Sequence, residues 1–431
     1  MKRYESYKPS GISWIGEIPS HWETIKLKNL FLSFSNGTTA EQIKTGETEF
    51  PVTRIETISS GKINKNKVGY VQHFPMIEKF LLKSYDILLS HINSYEKIGN
   101  FAIVTENDLP IYHGMNLLRL IPREESISNY AQFYFKSLFF IRTMQCFCKP
   151  AINQVSVSSS KIKDILIPIP PIEEQKKIVE YLSSKTSLID AQQSAREREI
   201  RLLEELKQAE IANVVTRGLN PDVPMKDSGI PWIGKIPAHW EISTLRKFLT
   251  LFSEKGHGDK QLLSVTRELG VIVRNTEDKE ENHNYIPDDL NGYKLVKQGQ
   301  FVVNKMKSWQ GSYGVSNYEG IVSPAYYVCD LEFPYKPYFS LAIRSKAYIP
   351  FFSQMSKGIR VDQWDLSTYA LKSIPFIVPP IEEQRAIVEY IERKNKAIDD
   401  MIANLRAEID FLTEYKQRLI ADAVTGQIKI D

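Results

Sequence analysis

Basic, amide and aromatic side chains crowd four short, turn-rich stretches of the chain, at residues 62–67, 91–95, 304–310 and 360–364. Lysine and arginine contact phosphates or guanine, asparagine and glutamine pair with adenine edges, and aromatic rings stack or wedge. This combination predicts contact with nucleic acid. Each stretch taken alone is more typical of a surface loop without a ligand, because loops are polar in any case.

Charge adds little to that prediction. The chain of 431 residues has a formal net charge of +3. Residues 24–160 contain 15 Lys and Arg against 11 Asp and Glu, and residues 242–371 contain 16 against 14. Such small excesses permit nucleic-acid binding, but ordinary solvated faces explain them equally well.

The motifs of a catalytic centre are missing from the sequence. There is no Gly-x-x-x-x-Gly-Lys-Ser/Thr phosphate loop, and Lys255-Gly256-His257-Gly258 does not stand between a strand and a helix as a dinucleotide loop must. The Asn/Asp-Pro-Pro-Tyr/Phe cluster of amino-methyltransferases is also absent. The seven histidines form no ligand cluster, and no metal site is predicted. We therefore expect a chain that binds no cofactor and is not an enzyme on its own.

Composition narrows the class of protein. A content of 42% hydrophobic and 25% charged residues is typical of a soluble globular protein. The sequence offers no secretory signal and no stretch of about 20 apolar residues that could span a bilayer. Its three cysteines, Cys146, Cys148 and Cys329, cannot form a disulfide framework. A cytoplasmic location is predicted.

Two signatures each occur twice and define the organisation of the chain. The stretch from Ser10 to Glu23 returns from Ser228 to Glu241, a shift of 218 residues. The stretch Pro-Pro-Ile-Glu-Glu-Gln at residues 170–175 returns at 379–384, a shift of 209. The segments between these signatures have diverged. The pattern predicts two divergent copies of one fold. In each copy the repeated signatures form a similar frame, and the segments between them, called the middles below, differ.

A long helix is predicted after each proline pair. Proline precedes it, acidic residues fill its first turn, and apolar residues recur at steps of three, four or seven. In the first helix the apolar seam is interrupted by Gln193 and Arg196, where the second helix has Ile402 and Leu405. Two helices of about forty residues, each about 60 Å long, cannot leave such stripes exposed, so we expect them to pack antiparallel.

The predicted fold is a mixed α/β (α+β) tandem repeat with pseudo-twofold symmetry. Two globular domains would be separated by the two long antiparallel coiled-coil helices. The middles mix short β-rich runs with one helical stretch from Tyr130 to Met144. The expected segments are a frame segment at 1–23, a first globular domain at 24–168, a helix at 169–217, a linker with the second frame at 218–241, a second globular domain at 242–377, a helix at 378–425 and a tail at 426–431.

With these features the chain resembles the specificity (S) subunits of type I restriction-modification systems. The resemblance rests on the paired Ile-Pro-x-His-Trp openings at Ile18–Trp22 and Ile236–Trp240, and on the paired helix starts at Pro170 and Pro379. It covers nearly the whole chain. The paired arrangement is highly specific, whereas either short motif alone would only be suggestive.

The resemblance implies a function and a set of partners. Each globular domain would be a target recognition domain that reads one half of a bipartite, asymmetric site in double-stranded DNA, and the helices would fix the spacer between the halves. Two methyltransferase subunits would dock on the frame and bring S-adenosylmethionine, and two motor-nuclease subunits would use ATP and magnesium. Such a subunit has no catalytic residue of its own.

The family's recognition domains vary too much for residue roles to be transferred, so the DNA-facing candidates come from the segments above. They are Thr53, Arg54, Lys65, His91, Asn93 and Gln154 in the first half, and Thr266, Arg267, Lys305, Lys307, Arg360 and Gln363 in the second. The repeated signatures nominate residues that bind a partner or build the frame: His21, Trp22, Glu174, Gln175, His239, Trp240, Glu383 and Gln384. For Gln193 and Arg196 the hypothesis is that they set helix register or contact a partner.

Two other functions remain open from sequence. One is an S-like scaffold or decoy that binds methyltransferase subunits without reading DNA, although intact signatures and full-length middles speak against it. The other is a fused methyltransferase or nuclease, which the absent cofactor motifs oppose.

Overall fold

The structure is a computed structural model that describes residues 2–43, 50–151, 154–275, 287, 289–360 and 363–430. The chain divides into two compact units. The first unit comprises residues 1–196 together with 406–431, and the second unit comprises residues 197–405. Each unit thus contains one frame segment, one variable middle and parts of both long helices.

The first unit is built from short strands and helices before the first long helix. Its strands are β1 (Tyr7–Pro9), β2 (Glu17–Pro19), β3 (Glu23–Lys26), β4 (Phe31–Asn36), β5 (Phe50–Val52), β6 (Gly69–Val71), β7 (Ile87–Leu89), β8 (Ile92–Asn93), β9 (Phe101–Ile103), β10 (Leu118–Pro122), β11 (Lys149–Ala151), β12 (Gln154–Ser156) and β13 (Leu166–Ile169). Its helices are α1 (Leu27–Leu30), α2 (Glu125–Lys136), α3 (Leu138–Phe147), α4 (Ser159–Lys163) and the beginning of α5 (Ile172–Arg217).

An antiparallel sheet in the order β4-β10-β7-β9 lies at the centre of the first unit. Side chains alternate between the two faces of a strand, so an apolar run such as Ile87-Leu88-Leu89 fills both. Ile87 and Leu89 join the core that contains the α2 and α3 aromatics, whereas Leu88 joins a second apolar cluster with Ala102. Because both faces are covered, β7 reads as a continuous apolar strand.

The second unit repeats this architecture with different residues. Its strands are β14 (Met225–Asp227), β15 (Lys235–Pro237), β16 (Glu241–Thr244), β17 (Leu249–Phe252), β18 (Leu263–Thr266), β19 (Gly270–Val273), β20 (Lys294–Val296), β21 (Phe301–Asn304), β22 (Tyr313–Val315), β23 (Gly320–Val322), β24 (Tyr326–Leu331), β25 (Lys357–Arg360), β26 (Gln363–Asp365) and β27 (Pro375–Val378). Its helices are α6 (Lys336–Arg344), α7 (Ile349–Met355), α8 (Thr368–Ser373) and the beginning of α9 (Ile381–Val424).

The central sheet of the second unit runs β17-β24-β21-β22, again antiparallel throughout. Strand β21 takes the place of β7, with Phe301 and Val303 in the main core and Val302 in a second cluster. The two middles are therefore copies of one fold, as the sequence predicts, although almost no residue identity survives between them.

The long helices pair antiparallel within each unit. In the first unit Gln193 Nε2 of α5 donates to Thr413 Oγ1 of α9 at 2.7 Å, and Arg196 pairs with Glu408 at 2.7 Å. In the second unit Lys207 pairs with Asp399 at 2.6 Å. From the first of these three pairs to the last, the residue number on α5 rises while the residue number on α9 falls. The two helices therefore run antiparallel. The polar seam positions thus bond across the helix pair, which supports the hypothesis that they set register.

The long helices also contribute to both cores. In the first unit Ile178, Leu182 and Leu419 belong to the same apolar cluster as the sheet, and in the second unit Val214 and Ile387 do so. Over the described residues, no helix combines the length and the apolar character needed to cross a membrane.

One predicted helix is two helices in the structure. The stretch from Tyr130 to Met144 was expected to be continuous, but α2 ends at Lys136 and α3 begins at Leu138. Ser137 between them has extended backbone angles, and its side chain accepts a hydrogen bond from the Phe140 N–H. Serine caps a new helix by this bond, which competes with continuation of the old one.

A buried ion pair distinguishes the sheet of the first unit. Arg119 Nη2 lies 2.5 Å from Asp86 Oδ2, and both side chains are almost fully enclosed. Burial raises the pKa of the Asp86 carboxyl above its ordinary value despite the guanidinium beside it, so the pair does not fully offset desolvation. At the matching places the second unit has Gln300 and Val328. The same fold therefore also accommodates uncharged side chains at these two positions.

Arg119→Val is expected to lower the free energy of unfolding by about 3–5 kcal/mol, because it leaves the Asp86 carboxylate buried without its partner. Adding Asp86→Gln should recover at least half of that loss, since a neutral amide is cheaper to bury. Urea unfolding followed by circular dichroism measures both. A double variant as unstable as Arg119→Val would contradict the explanation.

Candidate nucleic-acid interface

The first repeated signature meets the second through one carboxylate. Trp22 is completely buried, and its Nε1 donates to Glu174 Oε2 at 2.7 Å. His21 Nε2 lies 2.8 Å from Glu174 Oε1. The neighbouring Gln175 donates from Nε2 to the Pro170 carbonyl at 2.9 Å. These contacts fix the frame segment to the first turn of α5.

The second unit contains the same arrangement. Trp240 Nε1 donates to Glu383 Oε2 at 2.9 Å, and His239 Nε2 lies 2.5 Å from Glu383 Oε1. Gln384 Nε2 donates to the Pro379 carbonyl at 2.8 Å. The tryptophan, glutamate and glutamine of both signatures bond within the frame. That these residues build the frame or bind a partner stays a prediction.

The end of the opposite long helix completes each frame. In the first unit Tyr130 Oη donates to the Val424 carbonyl at 3.3 Å, in the last turn of α9, and Gly426 lies against Pro19. In the second unit Tyr338 Oη donates to the Val215 carbonyl at 3.5 Å, in the last turns of α5. These residues were not predicted. The available signal was a Val-Thr pair near the end of each helix, followed by glycine directly at Gly426 and after one intervening arginine at Gly218.

Glu174→Ala is expected to lower the free energy of unfolding by about 2–3 kcal/mol, because the buried Trp22 indole N–H loses its charged acceptor. The matched control is Glu173→Ala on the same helical turn. Its side chain is 76% exposed and, within the described residues, pairs with Lys176 on the helix surface, so a change within about 0.5 kcal/mol is expected. Urea unfolding followed by tryptophan fluorescence compares the two, and equal losses would refute the role of Glu174.

Gly426→Ala should destabilise the protein more than Gly11→Ala, although both glycines have positive φ angles. At Gly426 an added Cβ would collide with Pro19 Cδ, whereas at Gly11 no atom lies within 4 Å of an added Cβ. We expect a loss of about 1 kcal/mol at Gly11 from backbone strain alone, and about 2–4 kcal/mol at Gly426. Thermal unfolding of the two variants provides the measurement, and indistinguishable melting temperatures would contradict this account.

In the first unit a hairpin and the strand after β7 bring two DNA-facing candidates together. Val155 of β12 pairs with Asn93 of β8, which places the hairpin β11–β12 beside Asn93. Gln154 of the same hairpin is exposed. Asn93 Nδ2 donates to Ser90 Oγ, so its side chain is partly committed to the fold. Gln154 and Asn93 therefore border one surface.

Other candidates in the first unit are placed differently. Thr53 is 1% exposed, and its hydroxyl accepts the Gly114 N–H at 2.9 Å. This side chain supports the fold, and the prediction that it faces DNA is wrong. His91 is also buried, and burial lowers the pKa of its imidazole below the ordinary value. Arg54 is exposed and donates to Gln42, and Lys65 is exposed in a 3₁₀ turn.

In the second unit the corresponding hairpin is anchored by an aromatic pair. Trp309 and Trp364 stack with ring centroids 5.4 Å apart and planes 25° apart. Lys305 Nζ lies 3.1 Å from Asp365 Oδ1, and Lys307 is exposed. The loop at 305–310 and the hairpin β25–β26 thus form one surface. That hairpin carries the backbone of Arg360 and Gln363, whose side chains lie outside the described residues.

A single guanidinium ties this loop to the remaining candidates. Arg344 donates to the carbonyls of Gly311 and Tyr313 at 3.2 and 2.8 Å, and to those of Arg267 and Glu268 at 2.9 and 2.6 Å. The Arg267 side chain is exposed, whereas the hydroxyl of Thr266 bonds within its own turn. Arg344 and the tryptophan pair were missed because nothing in their spacing marks them.

The two units therefore present equivalent surfaces with different chemistry. The surface of the first unit is bordered by amide side chains beside the pairing of β8 with β12. The surface of the second unit is bordered by lysines beside the stacked tryptophans. Lysines can contact phosphates, and amides can contact base edges. In the described part of the chain, no three His, Cys, Asp or Glu side chains are grouped to hold a metal ion.

The family described as "Type I restriction modification DNA specificity domain" matches residues 19–202. The chain is 32% identical over 436 residues to the putative type I restriction enzyme MjaX specificity subunit of Methanocaldococcus jannaschii, covering 96% of both proteins. It is 26% identical over 293 residues to the MjaVIII specificity subunit of the same organism, covering 64% of each. The chain belongs to the specificity subunits of type I restriction-modification systems.

Solved structures have the same fold. One chain, from work on complex assembly and conformational transition of the type I R-M system, superposes with a TM-score of 0.64 at 16% identity, covering 95% of this chain and 99% of that one. The HsdS subunit from Thermoanaerobacter tengcongensis superposes with a TM-score of 0.50 at 15% identity, covering 95% and 98%. These likenesses identify the architecture as two globular domains with long helices.

Proposed function

We propose that this chain is the DNA sequence-recognition subunit of a type I restriction-modification complex, and that each globular domain reads one half of a bipartite site. The observation that carries the proposal is the repetition of one fold with different residues at matching places. The backbone carbonyl of His91 accepts the Val157 N–H, and that of Lys305 accepts the Leu366 N–H. A buried imidazole thus stands where the other unit has a partly exposed lysine. The surfaces of the two units differ in this way, and we infer that the two half-sites differ as well.

The long helices are proposed to set the spacer between the half-sites. Helices α5 and α9 are continuous over 46 and 44 residues. Their seam is bonded at Gln193, Arg196 and Lys207, so the pair resists sliding. A register fixed in this way would hold the number of unspecified base pairs constant.

Two identical methyltransferase subunits are proposed to dock on repeated surfaces. Leu202 and Leu206 of α5 are exposed, and so are Phe411 and Tyr415 of α9 at the same shift of 209 residues. Equivalent exposed apolar pairs on both helices suit two copies of one partner. S-adenosylmethionine, ATP and magnesium would be bound by the methyltransferase and motor-nuclease subunits, and this chain would carry no catalytic residue.

Mapping of N6-methyladenine across the genome tests this function in cells that express the chain with a matching methyltransferase subunit. We expect methylation at one asymmetric bipartite motif that disappears when the chain is omitted. Methyltransferase that co-purifies with the chain but methylates no motif would instead support the scaffold or decoy function.

Substitutions then assign each half-site to a unit. Gln154→Ala is expected to relax one position of one half-site, by about 1–3 kcal/mol of discrimination, and Lys307→Ala to weaken binding to all sequences if it contacts a phosphate. Asn29→Ala is the control, because Asn29 is an exposed amide outside the nominated segments. Relaxation in both halves by one substitution would contradict one domain per half-site.

A further inference from the structure

The frame segment contains a tight turn, at residues 10–16 and again at 228–234, that has the same pattern of hydrogen bonds in both units. In the first unit the Ser10 N–H donates to the Gly16 carbonyl at 2.8 Å, and the Ile12 N–H donates to Ser10 Oγ at 3.1 Å. In the second unit the Ser228 N–H donates to the Gly234 carbonyl at 2.9 Å, with the equivalent bond to the Ser228 hydroxyl. The turn is therefore a defined structure in both places.

Glycines hold this turn in shape for conformational reasons alone. Gly11, Gly16, Gly229 and Gly234 all have φ angles between 69° and 77°. A Cβ at any of them would meet no atom within 4 Å. Close packing therefore does not require glycine here, and the left-handed backbone does. A turn fixed by two such residues is preorganised before any partner arrives.

Each turn carries a tryptophan that is only partly buried. Trp232 packs one edge against the core residue Phe351, with ring centroids 4.7 Å apart, and the rest of its ring is exposed. Trp14 is 49% exposed and Trp232 is 37% exposed, whereas Trp22 and Trp240 of the same segments are fully buried. In the second unit Ile230 and Ile233 of the turn belong to the core, and in the first unit Ile15 packs against the core and Ile12 is buried. A large exposed indole on a rigid support costs solubility and little entropy, and tryptophan is the residue type most enriched among interface hot spots.

The repetition identifies the kind of partner. The half-sites of the proposed DNA target differ, so DNA gives no reason to keep the same loop twice. The residue after each turn also changes charge, from Glu17 to Lys235, and a carboxylate beside Trp14 would repel a phosphate backbone. A protein bound in two identical copies does account for two identical loops.

We propose that Trp14 and Trp232 are docking points for two copies of the methyltransferase subunit, each indole entering an apolar recess on one copy. The proposal rests on the proposed function, which requires two such subunits. Each unit contributes one turn and one pair of exposed apolar residues on a long helix. Each methyltransferase copy would contact both features of a single unit.

Native mass spectrometry of the full chain with its methyltransferase subunit tests the proposal. The wild-type chain should bind two copies. Trp14→Ala and Trp232→Ala should each weaken one copy at least tenfold and leave the other unchanged, and the double variant should weaken both. Leu32→Ala and Leu269→Ala are the controls, because these exposed leucines lie outside the repeated segments.

The outcomes separate the inference from the function. A wild-type chain that binds no methyltransferase overturns the proposed function. Single variants that bind two copies as tightly as wild type overturn the docking role alone, and so does a loss of DNA affinity with unchanged stoichiometry. Circular dichroism verifies folding, and Trp14→Phe, which keeps an aromatic ring on the turn, should restore most of the binding.

Discussion

The architecture depends on one hydrogen-bonded carboxylate in each unit. Glu174 and Glu383 each accept a buried tryptophan N–H and face a histidine, and so fasten an irregular N-terminal segment to the first turn of a long helix. A buried indole N–H is costly without an acceptor, and a charged acceptor gives a short, strong bond. This explains why both signatures recur together: neither is useful without the other, whereas the middles between them can vary freely.

The frame also explains how two different surfaces can be carried by one scaffold. In each unit the sheet packs against both long helices, so the scaffold defines where the middle begins, where it ends and how its core is covered. Within those limits the units differ even in their buried chemistry, with an ion pair in one and neutral side chains in the other. Recognition surfaces can therefore diverge while the positions that hold them stay fixed.

Sequence alone predicted the repeat and the two long helices, because these features are periodic or repeated. It failed where structure depends on contacts between distant segments. Thr53 looked like part of a basic surface motif, yet its hydroxyl is bonded to the Gly114 backbone, 61 residues away. Arg344 holds four carbonyls from two loops, and no local pattern announces such a role. The break at Ser137 was missed because an apolar helical period continues across it.

The closure of the first unit by the last turns of α9 has a consequence for synthesis on the ribosome. Residues 197–405 form the second unit by themselves, whereas the first unit also needs residues 406–431. The half that emerges first is therefore completed last. Until α9 has been translated, the apolar surface that receives Leu419, Ile420 and Val424 stays uncovered. The N-terminal half of the chain is thus the one exposed to aggregation and chaperone binding during its production.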